Sequence, residues 1–247
     1  QQKLYVFNEN NGMWDCDFTA HLTILKKFTN KLRVKTFDKN GDPIISTTSY
    51  GNNLILAKKI PEFMKTLCRN ENWLKETQYT SLGKILFTNG YYDFKQSKFY
   101  PKKEYGFKPE IVFMGKINQD FTQFSDEDLV YMESIKQRIF YDALGKNMGD
   151  YLITNLARGL AGDILKKMLF GIGTGDSGKG VITTALTLAL GDYVGTFNAE
   201  NLAHKNTGND GGQILRWVLL LRFKRLIFSN EMKSTSVLDG NMIKKVS

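Results

Sequence analysis

At 247 residues the chain is long enough to bury a sizeable core, as one large domain or two smaller ones. Its 34 basic and 25 acidic side chains leave a net charge of +9, which favours a polyanionic partner such as nucleic acid, although lysine-rich surfaces also serve solubility. No apolar run approaches the length of a membrane span and no signal peptide is recognisable, so the expected setting is intracellular and away from any membrane.

Cys16 and Cys68 are the two cysteines, without metal-ligand spacing, and they read as buried thiols of a reducing compartment. The sequence begins at Gln1 and ends at Ser247 within a promising pattern, so it reads as a piece of a longer polypeptide.

Near the start, Leu4-Tyr-Val-Phe7 and Met13-Trp14 flank Asn8-Glu-Asn-Asn-Gly12, a hairpin signal. Helices are predicted around 17–32 and 59–75, with Pro61 in the first turn of the second. A turn cluster, Asp38-Lys-Asn-Gly-Asp-Pro43, lies between them. A second hairpin is predicted from Lys84-Ile-Leu-Phe87 and Tyr91-Tyr-Asp-Phe94 around Thr88-Asn89-Gly90, with Lys98-Phe-Tyr100 as a further strand. From Ser125 the pattern turns helical. Ser125 and Asp128 form a candidate capping box, Leu129, Met132, Ile139, Phe140 and Ala143 make an apolar stripe, and Gly145 is a stop. A further helix is predicted over roughly 147–160.

The most informative stretch follows. Met168-Leu-Phe-Gly-Ile-Gly173 predicts a short apolar strand that runs into Thr174-Gly175-Asp176-Ser177-Gly178-Lys179-Gly180, a G-x-x-x-x-G-K pattern. Beyond it, Val181, Ile182, Ala185, Leu186, Ala189 and Leu190 have helical spacing. Glycines let backbone N–H groups converge on phosphate oxygens, and a helix N-terminus aims its dipole at the same anion. Residues Gly173 to Val181 are thus the candidate nucleotide-binding set, with Lys179 supplying a point charge to the outer phosphates. The position after the lysine normally carries a Ser or Thr hydroxyl for Mg²⁺, and here it is Gly180. Either the metal is held from elsewhere, or the site binds nucleotide and turns it over poorly.

Downstream, Leu226-Ile-Phe228 predicts a strand ending in Ser229-Asn230-Glu231. In P-loop NTPases a strand beside the phosphate loop carries acidic residues at its C-terminal edge, to orient Mg²⁺ or polarise the attacking water. Glu231 fits the water-activating role. Asn230 stands where a metal-binding Asp is common, and the two are the candidate metal-site residues.

With these motifs in order, the chain resembles the superfamily 3 helicases, closest to the primase–helicases of poxviruses and other large DNA viruses, with relatives in phages and plasmids. The resemblance rests on the loop, on Lys224-Arg-Leu-Ile-Phe-Ser-Asn-Glu231, and on Leu238-Asp-Gly-Asn-Met-Ile243-Lys-Lys245. It extends upstream to Tyr5-Val-Phe-Asn-Glu-Asn-Asn-Gly-Met-Trp14 and Leu86-Phe-Thr-Asn-Gly-Tyr-Tyr-Asp-Phe94. It implies an α/β chain: a mixed N-terminal domain of hairpins and helices over 1–124, a helical connector or collar over 125–164, and the first part of an AAA+-like P-loop core over 165–247.

It further implies ATP and Mg²⁺ as cofactors, with Gly173, Gly178 and Lys179 on the triphosphate and Glu231 as the catalytic acid. Lys244 or Lys245 would face nucleotide or DNA. The implied assembly is a homo-oligomer, a hexamer, that moves along single-stranded DNA and works with a primase domain or other replication proteins in the host cytoplasm or nucleus. The family's sensor residue, arginine finger and DNA-contacting hairpin have no matching positions in this sequence. Two other classes stay open: a degenerate P-loop NTPase serving as an oligomeric DNA-binding scaffold, and a P-loop small-molecule kinase.

Three further patterns have plainer readings. His21 and His204 read as ordinary surface or core histidines. Tyr91, Tyr92, Phe94, Phe99 and Tyr100, interleaved with Lys95, Lys98, Lys102 and Lys103, read as a hairpin that packs its rings and solvates its lysines, with base stacking as the alternative. Arg222 and Arg225, flanking the second strand, read as structural.

Overall fold

A computed structural model of the chain describes residues 3–17, 21–22, 33–47, 54–165, 167–173, 178–204, 215–229, 231–233 and 235–246. They form two compact units: Gln1–Thr80 with Phe107–Met114, and Ser81–Gly106 with Gly115–Ser247. The expected division into 1–124, 125–164 and 165–247 concerns functional parts, which these limits do not decide.

The first unit opens with the expected hairpin, β1 (Val6–Asn8) against β2 (Met13–Asp15), in antiparallel register with Phe7 opposite Trp14. Gly12 closes its loop at φ +74°, and a Cβ there would stand 2.8 Å from the Phe107 ring. Trp14 is the hub of this unit. Its ring lies 4.9 Å from that of Trp73 and its indole Nε1–H donates to Pro109 O at 3.0 Å, while Tyr5 meets Trp73 at 5.1 Å. Val112 and Phe113 are buried, and Val112 N–H donates to Thr80 Oγ1 at 2.9 Å.

A second antiparallel hairpin pairs β3 (Arg33–Phe37) with β4 (Pro43–Thr47) around the predicted turn cluster, whose Asp38 carboxylate accepts the Asn40 and Asp42 N–H groups. The helix expected over 17–32 falls largely outside the described residues, apart from helical His21 and Leu22. The helix expected over 59–75 is two helices, α1 (Leu54–Leu67) and α2 (Trp73–Thr77). Pro61 is therefore an interior residue of α1. Its missing N–H forfeits one helical bond, and its own burial offsets part of that cost. Cys16 and Cys68 are free and exposed rather than buried, because each lies just past the end of a secondary-structure element where nothing covers it.

The second unit contains the three-stranded antiparallel sheet β5 (Lys84–Phe87), β6 (Gly90–Asp93) and β7 (Lys98–Pro101). The β5–β6 turn is Thr88-Asn89, and Gly90 is already a strand residue opposite Phe87. Glycine serves there for close approach: a Cβ would come 2.3 Å from Tyr100 O and 2.6 Å from the Phe99 ring. Alternate residues send Leu86 and Tyr91 to one face and Ile85 to the other, and all three are buried. The short helix α3 (Lys102–Tyr105) follows β7.

The helical stretch begins as expected. In α4 (Asp126–Lys136) the Ser125 hydroxyl accepts the Asp128 N–H at 3.2 Å, and the Asp128 carboxylate accepts the Ser125 N–H at 2.9 Å. The Ser125 N–H and the Ser125 hydroxyl, the latter at 2.8 Å, both donate to the Asp128 carboxylate and hold its pKa below the ordinary value. The helix passes through a π-helical turn at Gln137–Tyr141 and the short α5 (Asp142–Leu144) to stop at Gly145, φ +74°. Helix α6 (Lys146–Ala161) then ends at Gly162 in the left-handed region. The predicted stripe is not a core face within this chain, since Leu129 and Met132 are exposed along with Val130 and Tyr131.

Past α6 come α7 (Lys179–Leu190), a one-turn 3₁₀ helix at Gly191–Tyr193 and β8 (Val194–Phe197). A second 3₁₀ turn at Ala199–Leu202, α8 (Arg216–Leu220), β9 (Leu226–Ser229) and α9 (Gly240–Val246) complete the unit. Strands β8 and β9 pair in parallel, Val194 opposite Leu226 and Phe197 opposite Ser229. The core joins both sheets: Ile85, Ile117 and Tyr193 are buried against Phe87, Leu160 and Leu190. Leu86 N–H donates to the Tyr193 phenol at 2.9 Å, and Ile117 N–H donates to Leu86 O at 2.9 Å.

Candidate phosphate loop and the strand beyond it

Of the loop residues the structure describes Gly173, Gly178, Lys179, Gly180 and Val181, while Thr174, Gly175, Asp176 and Ser177 lie outside the described residues. The helix after the loop is present as expected. Gly178 precedes it at φ +79°, ψ 0°, a conformation that favours glycine, and a Cβ there would touch nothing, so the dihedral and not the space selects the residue. The Gly178 carbonyl accepts from Val181 N–H at 3.0 Å and Ile182 N–H at 3.3 Å, which starts α7. The amides of Lys179 and Gly180 thus belong to the first turn, where a helix directs N–H groups and partial positive charge outward.

Lys179 Nζ donates back to Gly173 O at 3.3 Å. The two described ends of the segment, Gly173 and Lys179, are thereby joined by a hydrogen bond. Ile182, Leu186 and Leu190, four residues apart, form the half-buried face of α7, whereas Val181, Ala185 and Ala189 of the predicted stripe are exposed.

The strand predicted before the loop does not form. Residues 167–173 carry no strand, Leu169 and Phe170 are exposed, and Ile172 is 97% exposed. An apolar run becomes a strand only where it finds an edge to pair with, and β8 and β9 here pair with each other. The hydroxyls beyond Gly180 are engaged in α7 itself: Thr183 Oγ1 donates to Gly180 O at 3.0 Å and Thr187 Oγ1 to Thr183 O at 2.7 Å. Gly180 is not in the left-handed region and has open space around a Cβ.

The second half of the candidate site leaves β9. Leu226 is buried, Ser229 ends the strand, and Glu231 stands two residues further, exposed. Asn230 lies outside the described residues. The chain then turns back onto the segment that leaves β8. Lys233 N–H and Ser236 Oγ–H donate to the two Glu200 carboxylate oxygens at 2.9 and 2.7 Å. His204 N–H donates to Val237 O and Asp239 N–H to Leu202 O, each at 2.8 Å. Asp239 also accepts the Asn241 N–H at 2.8 Å, opening α9 on which Lys244 and Lys245 lie.

Two residues missed or undervalued in the sequence organise this region. Glu200 carries no motif signal. Arg225 does more than flank a strand: its guanidinium donates to Leu160 O and Ser81 O, both at 2.8 Å, and covers the Tyr193 ring at 4.7 Å. Burial lowers its pKa, and the same burial pushes the Tyr193 phenol up to about 12. Arg222 is exposed, 5.5 Å from the Phe223 ring centroid.

The hairpin aromatics mostly pack: Phe99 stacks on Phe121 at 4.5 Å and Tyr91 on Tyr100 at 5.0 Å, with Lys98 at the solvent edge 5.0 Å above Tyr100. His21 is buried in the first unit, and His204 is exposed with Nδ1 3.9 Å from Asp239. Among the described residues no group of three His, Cys, Asp or Glu side chains is placed to hold a metal ion, and no helix is long and apolar enough to cross a membrane.

No protein-family model matches the chain. It is 34% identical, over 245 residues, to the protein named "Putative helicase V13" of the Sputnik virophage, an alignment that covers 98% of this chain and 30% of that relative. The chain therefore spans less than a third of the relative's length. Over nearly all of its own length, it is kin to a viral protein that bears a helicase name.

Proposed function

We propose that the chain is the ATPase-bearing part of a superfamily 3-type DNA helicase, which hydrolyses ATP to move along single-stranded DNA during replication of a viral or mobile genome. The observation that carries the reading is the loop-to-helix geometry. Gly178 takes a left-handed turn into the N-terminus of α7, with Lys179 Nζ bonded to Gly173 O. That arrangement suits a polyphosphate, and kinship with a virophage protein named as a helicase supports ATP-driven translocation over other uses of such a loop.

In this reading residues 173–181 hold the triphosphate and Lys179 neutralises its outer charge. ATP supplies the phosphoryl group and its free energy. Glu231 would polarise the attacking water by accepting its proton, and Asn230 with Glu231 would help hold Mg²⁺, which would supply charge neutralisation on the phosphates. ATP sites lie between subunits of a hexameric ring, so neighbouring chains complete each site. The three functional parts remain as the sequence suggests, with 1–124 preceding the motor, 125–164 forming a collar and 165–247 starting the AAA+ core. Exposed Leu129, Val130, Tyr131 and Met132 give the collar an apolar surface suited to a neighbouring subunit. The net charge of +9 suits DNA.

A second reading, a degenerate NTPase serving as a scaffold, is favoured by Gly180 and by the exposed, unpaired segment at Leu169–Ile172. The discriminating assay is ATP turnover with and without single-stranded DNA. A helicase is stimulated, a scaffold is silent, and a small-molecule kinase is indifferent to DNA. Within the helicase reading, Lys179→Ala weakens ATP binding by roughly 1.5–3 kcal/mol through loss of a charge-assisted contact. Glu231→Gln keeps binding and reduces hydrolysis to a small residual rate. Equal loss of nucleotide affinity in both variants removes Glu231 from its catalytic role.

A further inference from the structure

We propose that Glu200 is a positioning residue for Glu231, clamping the chain that leaves β9 onto the turn that leaves β8. The inference rests on the catalytic role proposed for Glu231.

Strands β8 and β9 are parallel and end in register, Phe197 opposite Ser229, so both chains emerge from the same edge of the sheet. The first chain is immobilised at once. Asn198 Oδ1 accepts the Glu200 N–H at 3.0 Å and caps the 3₁₀ turn, whose Ala199 and Leu202 are buried. A turn with a side-chain cap and two buried anchors is a firm base. Glu200 projects from it with both carboxylate oxygens used: Oε1 accepts the Lys233 N–H and Oε2 the Ser236 hydroxyl. Further along, the Ala203–Leu238 bridge and the bonds from His204 and Asp239 close the same two segments together.

Glu231 therefore stands on a short span with both ends held. Ser229 is fixed upstream by the β8–β9 ladder, and Lys233 is fixed downstream by Glu200. The hold on Lys233 is made by a side chain rather than by a backbone ladder, so changing one residue removes it. An exposed carboxylate that must meet a water molecule and a phosphorus atom in line gains from such restraint, because a displacement of about 1 Å can cost on the order of a hundredfold in rate. The charge also has a local purpose, since an ionised acceptor makes the stronger bonds to both donors.

The test uses the intact protein and measures steady-state ATPase activity, affinity for a non-hydrolysable ATP analogue, and thermal unfolding. Glu200→Ala is expected to lower kcat by about ten- to a hundredfold while leaving analogue affinity within about twofold. Glu200→Gln keeps an acceptor for Lys233 N–H and is expected to restore most of kcat. Ser236→Ala removes one donor only and gives a smaller loss, which keeps the test alive if Glu200→Ala fails to fold.

In the background of Glu231→Gln, Glu200→Ala should lower the residual rate no further. The proposal is overturned if Glu200→Ala turns over ATP normally, if it loses analogue affinity in proportion to kcat, or if its effect adds in full to that of Glu231→Gln. A fully active Glu231→Gln protein overturns the catalytic reading and this inference together. An inactive Glu231→Gln beside an active Glu200→Ala overturns the positioning role alone.

Discussion

Arg225 offers the sharpest test of what holds the loop-bearing unit together. Its side chain donates to the last turn of α6 at Leu160 O and to Ser81 O at the entrance of the β5–β7 sheet, and it lies on the ring of Tyr193 just before β8. Replacing it with Met keeps most of the aliphatic stem and removes both donors. Each hydrogen bond from a charged group contributes about 1.5–3 kcal/mol net, and the cation–π contact about 0.5–2 kcal/mol. Against these runs the desolvation of a cation that no carboxylate of the described residues accompanies, visible in the lowered Arg225 pKa. The balance is a loss of about 3 kcal/mol.

Hydrogen exchange at the Leu86 amide is the appropriate assay, because that N–H is buried and bonded to the Tyr193 phenol that Arg225 covers. A loss of about 3 kcal/mol corresponds to roughly a hundredfold faster exchange. Arg225→Lys should fall between, since an ammonium reaches one carbonyl and stacks poorly. Unchanged Leu86 protection in Arg225→Met would refute the structural assignment. Unchanged protection combined with loss of ATPase activity in mixed oligomers would make Arg225 an arginine finger instead.

Gly180→Ser should be accepted by the backbone and lower the Mg²⁺ concentration for half-maximal ATPase activity; an unchanged requirement in a folded protein shows that the metal is already satisfied from elsewhere. Tyr193 titrates near 10 when unfolded and at about 12 when folded, so the stability it confers is intact below pH 10 and lost as the pH climbs to about 12, a decline of at most roughly 2–3 kcal/mol. Tyr193→Phe should lose about 1–3 kcal/mol at neutral pH, by orphaning the Leu86 N–H, yet show a shallower alkaline decline; lysine titration is common to both proteins, so denaturant midpoints against pH read the difference. Removing residues 1–120 strips Ile85, Leu86 and Ile117 from the second core and should unfold it, whereas removing 1–80 leaves them; circular dichroism separates the two, and light scattering on the shorter deletion then reports whether the first unit supports ring assembly.

What was legible in the sequence was local. Asn8 to Gly12, Ser125 with Asp128, and Gly145 each encode a turn, cap or stop through their own side chain or φ, and each appears where the pattern put it. Gly178-Lys179 was legible for the same reason. The misreadings came where a distant neighbour decides. Met168 to Ile172 has the composition of a strand but no described strand pairs with it. Gly90 looks like a turn glycine, yet the approach of Tyr100 and Phe99 is what requires it. Pro61 reads as a helix start, and α1 extends before it.

Glu200 and Arg225 share a further property that sequence reading cannot supply. Besides Ser236 Oγ–H and the Tyr193 ring, both act on backbone groups: Glu200 on Lys233 N–H, Arg225 on the carbonyls of Ser81 and Leu160. A backbone group is present whatever the residue, so the partner position leaves no chemical signature to search for. The loop pattern is legible because the ligand proposed for it, a polyphosphate, is a fixed chemical object. The bonds that Glu200 makes to Lys233 N–H and Arg225 to two carbonyls are written in geometry alone. Substituting the partner residue of such a clamp should then be nearly silent, provided it keeps its N–H or carbonyl. Lys233→Ala, which retains the N–H that Glu200 accepts, should leave kcat within about twofold where Glu200→Ala does not. A comparable loss in both would mean that the Lys233 side chain, and not the backbone bond, carries the effect.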